Sequence, residues 1–258
     1  MTAAAASSFA PTKGPVRLDQ ALAERGLARS RAAARDAILR GAVSVDGKAV
    51  SRPSAKVAPD AEIVVDDPAG GYVSRGALKL IAALDAFAID PAGAEALDLG
   101  ASTGGFTQVL LERGADRVTA VDVGHGQLAP EIAADPRVVA IEGLNVRELT
   151  ADRLAAAPSL IVADLSFISL TRALGPALAL AAPGATLAAL VKPQFEVGRD
   201  GVGKGGIVRD EARVEAALVA VRAFVTEAGW QVIGLIASPI AGGDGNREYL
   251  IAARRAER

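Results

Sequence analysis

The sequence predicts an α/β protein in which helices cover both faces of a mostly parallel β-sheet, preceded by a small α+β domain. Apolar runs alternate with helical stretches from Tyr72 onward, whereas two short helical patterns and a hairpin pattern lie before it. Between them, Asp66 to Gly71 (DDPAGG) contains a proline and two glycines. We therefore expect a disordered tail at 1–15, a small domain at 16–66, a linker at 67–71 and a larger domain at 72–258.

The composition excludes several classes of site. The chain has no cysteine, which excludes disulfide scaffolds, thiolate nucleophiles and cysteine zinc sites. His125 is the only histidine, so a histidine-rich metal site cannot form, and we expect no metal. The first residues, MTAAAASSFAPTKG, lack the basic and apolar regions of a signal peptide. We expect a cytoplasmic protein.

One long uncharged run, from Ala173 to Val191, has the length of a membrane span. It is interrupted by Gly175-Pro176 and again by Pro183-Gly184. Such pairs break a helix, so the run predicts a helix, a turn and a buried strand. We expect no membrane segment.

Positive charge is concentrated near the N-terminus. Ten basic and four acidic residues lie between Lys13 and Lys56, although the whole chain has a net charge of −2. A basic segment on an acidic body is typical of a protein that binds an anionic partner at one end.

The basic segment has its own predicted elements. A first helix ends near Gly26, and Ser30 caps a second helix that stops at Gly41. Asp46-Gly47 lies between two β-rich runs, which is a strong signal for a two-residue hairpin turn.

Arg31 and Arg35 lie one turn apart on the second helix and therefore share a face. Such a face is either simply solvated or binds an RNA backbone, and the excess of arginine favours RNA.

The stretch RLDQALAERGLARSRAAARDAILRGAVSVDGKAV resembles the S4-type RNA-binding domain, over about residues 16 to 66. The resemblance implies that the arginine-bearing helix and the hairpin meet structured RNA. It implies the following RNA-binding residues: Arg17, Arg29, Arg31, Arg35, Arg40 and Lys48.

The predicted strands of the larger domain are apolar runs at Ala96 to Leu99, Val118 to Val121, Val138 to Ile141, Leu160 to Ala163, Ala185 to Val191 and Val232 to Ile236. In parallel sheets of this kind, ligands bind outside the carboxyl ends of the strands. The residues that follow each strand are therefore the candidate site.

A glycine-rich loop, in LDLGASTGGFTQVLL, follows the first strand and precedes a helix that begins at about Phe106. Its spacing differs from the G-x-G-x-x-G of dinucleotide-binding proteins. Asp122 ends the second strand, 22 residues after Gly100, where a carboxylate accepts hydrogen bonds from both ribose hydroxyls of a nucleoside. Nicotinamide cofactors and S-adenosylmethionine both fit these features.

Asp98 and Gly100 form a DLG sequence that resembles the first motif of S-adenosylmethionine-dependent methyltransferases. Asn145, after the third strand, lies within reach of an adenine edge or is simply a turn former. The expected cofactor-binding residues are Asp98, Gly100, Ser102, Thr103, Gly104, Gly105, Phe106, Asp122, Asn145 and Asp164.

The residues after Asp164 bear on the methyl acceptor. Leu165, Ser166 and Phe167 follow it. Enzymes that methylate an amino nitrogen have two prolines and an aromatic ring at this place, with which they hold the base, and this chain lacks them there. Methylation at carbon-5 of a pyrimidine needs a cysteine nucleophile, which this chain lacks. Oxygen is the acceptor that remains.

Four charged residues converge at one sheet edge in the predicted topology. Lys192 closes the fifth strand, beside Asp164 if neighbouring strands end level. Lys79 lies on the first turns of a helix, and Glu248 begins a last, antiparallel strand. Any one of them alone is more often a surface charge or an ion pair.

This set resembles the Lys-Asp-Lys-Glu tetrad of FtsJ-type ribose 2′-O-methyltransferases. The segments YVSRGALKL, ADLSFISL, VKPQFEVGRDGVGKGGIVRD and SPIAGGDGNREYL further resemble the TlyA family, which is sometimes labelled hemolysin A. The resemblance implies a Rossmann-like methyltransferase sheet, S-adenosylmethionine as cofactor, and ribosomal RNA or assembled ribosomal subunits as partner.

The tetrad Lys79, Asp164, Lys192 and Glu248 is then catalytic, with Lys192 taking the proton of the 2′-hydroxyl. A lysine amine can accept a proton only when it is neutral, and burial and a nearby cation both favour the neutral form. Arg75 lies near the same edge and is a candidate phosphate contact. Two other functions remain open: a membrane-lytic hemolysin, and a ribosome-binding module without catalysis.

Overall fold

The structure, a computed structural model, describes residues 14–39 and 41–257, apart from the side chain of Arg199. The chain divides into two compact units, Met1–Gly71 and Tyr72–Arg258. Arg40 and residues 1–13 of the tail expected at 1–15 lie outside the described residues.

Among its described residues, the N-terminal unit has two helices, a pair of short strands and a three-stranded sheet in which β2 (Val43–Val45) lies between β3 (Lys48–Ala49) and β5 (Ile63–Val65). Ser30 Oγ accepts a hydrogen bond from Ala33 N at 3.1 Å, so the predicted helix cap is confirmed. Asp46 and Gly47 both have positive φ, which is the backbone of a tight hairpin turn. The elements are β1 Val16–Arg17, α1 Leu18–Glu24, α2 Arg31–Leu39, β2 Val43–Val45, β3 Lys48–Ala49, β4 Lys56–Val57 and β5 Ile63–Val65.

The larger unit is built on a seven-stranded sheet of order β11-β12-β10-β9-β6-β7-β8. Neighbouring strands from β10 to β8 are parallel, and β12 runs antiparallel to β10 and β11. The α/β sheet is therefore confirmed. The strands are β6 Glu95–Leu99, β7 Arg117–Asp122, β8 Val138–Glu142, β9 Leu160–Ala163, β10 Thr186–Val191, β11 Trp230–Ala237 and β12 Tyr249–Arg255.

Helices cover both faces of this sheet because its central strands are apolar on both sides. Leu97 and Leu99 of β6 pack into a core cluster on one face, whereas Ala96 packs with α3 and α4 on the other. The α-helices are α3 Gly76–Ala86, α4 Gly105–Glu112, α5 Pro130–Ala133, α6 Leu170–Ala173, α7 Gly175–Leu180, α8 Pro193–Glu196 and α9 Glu211–Glu227.

The uncharged run from Ala173 to Val191 folds as the end of α6, then α7, a turn and the buried strand β10. The predicted helix, turn and strand are confirmed. Among the described residues, none of the helices has the length and apolar character needed to cross a membrane.

Strand register decides which side chains meet at the carboxyl edge. Ala163 of β9 pairs with Ala189 of β10, so β10 continues for two further residues. The two strands therefore do not end level, which corrects the assumption made from the sequence. Continuing the register of β9 and β10 places Lys192 level with Ser166. On the other side of β10, Val191 pairs with Tyr249 of β12, which brings Glu248 to the same edge.

Gly100 makes the turn between β6 and the glycine-rich loop. Its φ is +82°, and a Cβ on it would lie 2.6 Å from the backbone oxygen of Asp164. Both the left-handed backbone and the close approach require glycine. The turn thus brings the loop against the residue that follows β9.

Gly100→Ala tests this close approach, with Gly93→Ala as the matched control, because Gly93 also has a positive φ (+70°) but has open space around it. We expect Gly93→Ala to cost about 1 kcal/mol of unfolding free energy from backbone strain. Gly100→Ala should cost about 2 kcal/mol more, because the Asp164 carbonyl must move. Urea unfolding of both variants measures the difference, and equal losses would contradict the account.

Candidate active site

A cavity of about 630 Å³ opens at the carboxyl ends of β6, β7 and β9. Parallel strands direct their following loops to one edge, so side chains from distant positions share this cavity. Five of the predicted cofactor-binding residues line it: Gly100, Ser102, Asp122, Asn145 and Asp164.

Asp122 is fixed by backbone donors at the end of β7. Its Oδ2 accepts a hydrogen bond from Ser102 N at 2.8 Å, and its Oδ1 accepts one from Gly124 N at 2.7 Å. The carboxylate is thus held in one orientation at the cavity wall, with further acceptor capacity on each oxygen.

Asn145 serves the turn after β8. Its Oδ1 accepts hydrogen bonds from the backbone N of Arg147 at 3.1 Å and from Arg147 Nε at 3.2 Å. This side chain caps the short 3₁₀ helix Val146–Glu148, so it acts as a turn former and also lines the cavity. The two roles considered from the sequence are compatible.

Other predicted cofactor residues lie away from the cavity lining. A Cβ on Gly104 would lie 2.9 Å from Leu128, and one on Gly105 would overlap Ser74 Oγ. These glycines therefore permit close packing. Thr103 is exposed and lies outside the lining, as does Phe106, which is buried in the core against α3. The assignment of these residues to the cofactor stays a prediction.

Asp98 is fully buried beneath the loop. Its Oδ2 accepts a hydrogen bond from the Thr107 hydroxyl at 2.6 Å, and its Oδ1 has no hydrogen-bond partner among the described residues. Burial raises the pKa of Asp98 to about 7, against the opposing hydrogen bond from Thr107, and the negative charge of Asp164 adds to the rise. This side chain links β6 to α4 through Thr107 and lies outside the cavity lining.

The four residues of the predicted tetrad come together as two ion pairs. Lys79 Nζ donates to Glu248 Oε2 at 2.5 Å. Lys192 Nζ lies 2.6 Å from Asp164 Oδ1 and donates to Ser166 Oγ at 2.8 Å. Both lysines are only 8% exposed.

The two pairs are neighbours. A Cβ on Gly76, one turn before Lys79 on α3, would lie 3.6 Å from Asp164 Oδ2. On the other side, β10 and β12 pair directly before Lys192 and after Glu248. Buried ion pairs lose much of their attraction to desolvation, so two of them at one edge indicate a functional site more than a stabilising one.

Two segments that follow β9 and β10 contact each other beyond the lysine. The rings of Phe167 and Phe195 lie 5.3 Å apart between centroids. Glu196 Oε2 accepts a hydrogen bond from the Ser169 hydroxyl at 2.5 Å, and its Oε1 accepts one from Leu170 N at 2.8 Å.

Phe167 is the most conspicuous residue that sequence reasoning missed. Its side chain is 91% exposed, its φ is +65°, and it lines the cavity. Aromatic residues are only 3% of the chain, so composition gives no signal for base stacking. The relevant signal was position, because this ring follows Asp164 by three residues at the carboxyl edge.

The predicted RNA-binding residues of the N-terminal unit fall into two groups. Arg17 forms two hydrogen bonds with Asp19, at 3.0 and 2.8 Å, and Arg31 lies 3.4 Å from the same carboxylate. The hydrogen bonds from Arg17 lower the pKa of Asp19 to about 2. The others are exposed, namely Arg29, Arg35 and Lys48. In the larger unit, Arg75 is half-buried beside Gly243.

Asp98→Asn tests the buried carboxyl through the pH dependence of stability. The folded-state pKa of Asp98 is raised from 3.8 to about 7. The contribution of its carboxyl group to the free energy of unfolding is therefore fully present below pH 3.8 and is lost as the pH rises to about 7. The unfolding free energy of the variant, relative to that of the wild type, should be higher at pH 8 than at pH 4 by a few kcal/mol, which is on the order of the pKa shift. A difference independent of pH would contradict the raised pKa.

Comparison with known proteins matches residues 72–255 to the FtsJ-like methyltransferase family and residues 16–63 to the S4 domain. The 16S/23S rRNA (cytidine-2′-O)-methyltransferase TlyA of Mycobacterium tuberculosis is 48% identical over 239 residues, which cover 92% of this chain and 89% of that protein. Hemolysin A of Brachyspira hyodysenteriae is 39% identical over 237 residues, covering 91% and 98%.

A solved structure of a protein from Streptococcus thermophilus that is named a hemolysin has a TM-score of 0.75 and 37% identity, covering 95% of this chain and 90% of that one. The matches extend through both units and include the segments that carry the two ion pairs. The chain therefore belongs to the TlyA family, in which an S4 domain precedes an FtsJ-like methyltransferase domain.

Proposed function

We propose that this chain transfers a methyl group from S-adenosylmethionine to a ribose 2′-hydroxyl of ribosomal RNA. One observation carries the proposal: Asp164 and Ser166 both line the cavity and both contact the amine of Lys192. A basic nitrogen is therefore fixed at the wall of a space suited to a nucleoside-containing methyl donor. The names of the relatives support ribosomal RNA as the substrate.

The residues of the cavity fit S-adenosylmethionine. A volume of about 630 Å³ is in the range of cofactor sites. The carboxylate of Asp122 would accept the ribose hydroxyls, and the apolar side chains of Leu144 and Val146 would flank the adenine. Asp164 would complement the positive sulfonium. When bound, this cofactor supplies an electrophilic methyl group.

Lys192 would act as the base. The ammonium group donates to Ser166 Oγ and forms an ion pair with Asp164 Oδ1 at 2.6 Å. The neutral amine has two N–H donors and one lone pair, so it can keep its hydrogen bond to Ser166. Its lone pair is then left for the proton of the 2′-hydroxyl, and removing that proton raises the nucleophilicity of the oxygen. Asp164 and Ser166 thus orient the amine.

The second pair would orient the ribose. Glu248 is 4% exposed and holds Lys79 by a 2.5 Å hydrogen bond. The remaining N–H donors of Lys79 would bind oxygens of the target nucleotide and fix the hydroxyl for attack. This pair contributes position and charge, whereas Lys192 moves the proton.

Phe167 would stack on a base of the RNA. An aromatic ring that is 91% exposed at a cavity edge gains little from the protein's own packing, but a base stacked on it buries one face of the ring. The target ribose would then be held beside Lys192, since Phe167 and Lys192 lie on segments that touch through Phe195.

RNA would be held more broadly by the S4 domain. Arg29, Arg35 and Lys48 are exposed cations that fit phosphate contacts. Arg17 and Arg31 would present guanidinium groups that Asp19 holds in place. Arg75 of the larger unit is a further candidate.

The test of this function is transfer of a labelled methyl group from S-adenosylmethionine to ribosomal subunits that lack the modification. We expect Lys192→Ala to lower the transfer rate by about 10³-fold, because general-base catalysis is lost. Lys192→Arg should be equally impaired, because arginine stays protonated and so cannot accept the proton of the 2′-hydroxyl.

Cofactor affinity serves as the control for Lys192→Arg, which keeps a positive charge beside Asp164, and it should change by less than about 3-fold. An active Lys192→Arg enzyme would remove lysine as the base. If the wild type binds ribosomal subunits but transfers no methyl group, the chain is a binding module.

Phe167→Ala tests the stacking role. Loss of one base stack should lower kcat/KM for RNA by about 5- to 100-fold, and Phe167→Trp should retain most of it. Isothermal titration with S-adenosylhomocysteine separates this effect from cofactor binding. Transfer by Phe167→Ala at the wild-type rate would contradict the role.

A further inference from the structure

Two segments at the carboxyl edge are joined by successive contacts. The first is the 164–170 loop, which follows β9, and the second is the 192–196 segment, which follows β10. Lys192 contacts Asp164 and Ser166, and Phe195 contacts Phe167. Glu196 closes the series with hydrogen bonds to Ser169 and Leu170.

Glu196 uses both carboxylate oxygens in this closure. One accepts the Ser169 hydroxyl at 2.5 Å and the other accepts Leu170 N at 2.8 Å. Burial raises the pKa of Glu196, and the two hydrogen bonds oppose that rise. A partly buried carboxylate is unfavourable unless such bonds compensate it, so an apolar residue would be the simpler choice for packing alone.

The 164–170 loop needs to be held in place because of Phe167. A positive φ is strained in any residue with a Cβ, and here it is +65°. The ring is 91% exposed, so its burial does not offset the strain. The conformation must therefore be imposed from both sides: by the contacts of Lys192 before Phe167, and by those of Glu196 after it.

We propose that Glu196 is a positioning residue for methyl transfer, which acts by holding the strained 164–170 loop so that Phe167 stands at the cavity beside Lys192. This rests on the proposed function. Glu196 itself touches neither cofactor nor RNA in this account. Its effect on the reaction passes through Ser169 and Leu170 to Phe167.

Replacement of Glu196 separates position from chemistry. Glu196→Ala removes the acceptor of Leu170 N and leaves the Ser169 hydroxyl with only its contact to Thr171 Oγ1 at 2.7 Å. We expect kcat/KM for RNA to fall about 10- to 100-fold, the effect of a misplaced group. Glu196→Gln can accept from Leu170 N and donate to Ser169 Oγ, so it should restore activity to within about 3-fold of wild type. Glu215→Ala, on the exposed face of α9, is the matched control and should be unchanged.

A double-mutant cycle with Phe167→Ala tests the route. If Glu196 acts through Phe167, the variant with both substitutions should be about as impaired as the worse single variant. If the two losses multiply, Glu196 acts elsewhere and the inference is overturned. A fully active Glu196→Ala enzyme, or an inactive Glu196→Gln enzyme of wild-type stability, also overturns it.

Folding and the parent function are controlled separately. If Glu196→Ala lowers the thermal midpoint so far that it does not fold, Ser169→Ala replaces it in the same cycle, where non-multiplying losses support the inference and multiplying losses overturn it. The wild type runs in every assay. Absence of transfer by the wild type refutes the proposed function, whereas an active wild type with multiplying losses refutes only the role of Glu196.

Discussion

The functional edge of the larger unit depends on the ion pair between Lys192 and Asp164. It exists because β9 and β10 are parallel neighbours, with Ala163 beside Ala189, so that the chain leaves both strands at the same edge although β10 is two residues longer there. Asp164 faces the cavity on one side and the amine on the other. Removing either partner would leave a largely buried charge unpaired, which is strongly unfavourable. The pair therefore fixes the relation between the cavity and the amine.

The antiparallel strand β12 adds the second pair to the same edge. Val191 of β10 pairs with Tyr249 of β12, so the next residues, Lys192 and Glu248, lie side by side. Lys79 reaches Glu248 from α3. Two buried lysine–carboxylate pairs are a poor means of stabilisation, since apolar side chains of similar volume would pack at least as well. Two such pairs at one edge fit the proposed reaction, which needs both a base and a fixed positive charge. The buried carboxyl of Asp98 below the glycine-rich loop adds a further electrostatic cost at this edge.

Periodicity predicted the sheet, because long apolar runs separated by helical patterns leave few alternative folds. Topology then predicted the meeting of Lys79, Asp164, Lys192 and Glu248 at one edge. It also predicted that Lys192 would lie beside Asp164, as the ion pair shows. The hydrogen bond from Lys192 to Ser166 was not predicted, because it depends on the uneven strand ends and on side-chain reach. Phe106 was assigned to the cofactor from its place in the loop, which stays a prediction, but the burial of its ring on the inward face of α4 was not predicted. Phe167 was missed because its positive φ and its exposure are properties of the folded chain. Glu196 was missed because its hydrogen bonds to Ser169 and Leu170 form only in the folded chain, and neither feature leaves a periodic signal.

The chemical identity of the methylated atom tests the central claim most directly. Ribosomal subunits methylated by the enzyme with labelled S-adenosylmethionine would be digested to nucleosides and separated by mass spectrometry. We predict label only in nucleosides whose sugar carries the methyl group, with an unmodified base. Label on a base nitrogen or carbon would show that the amine of Lys192 serves some other purpose, and would contradict the account.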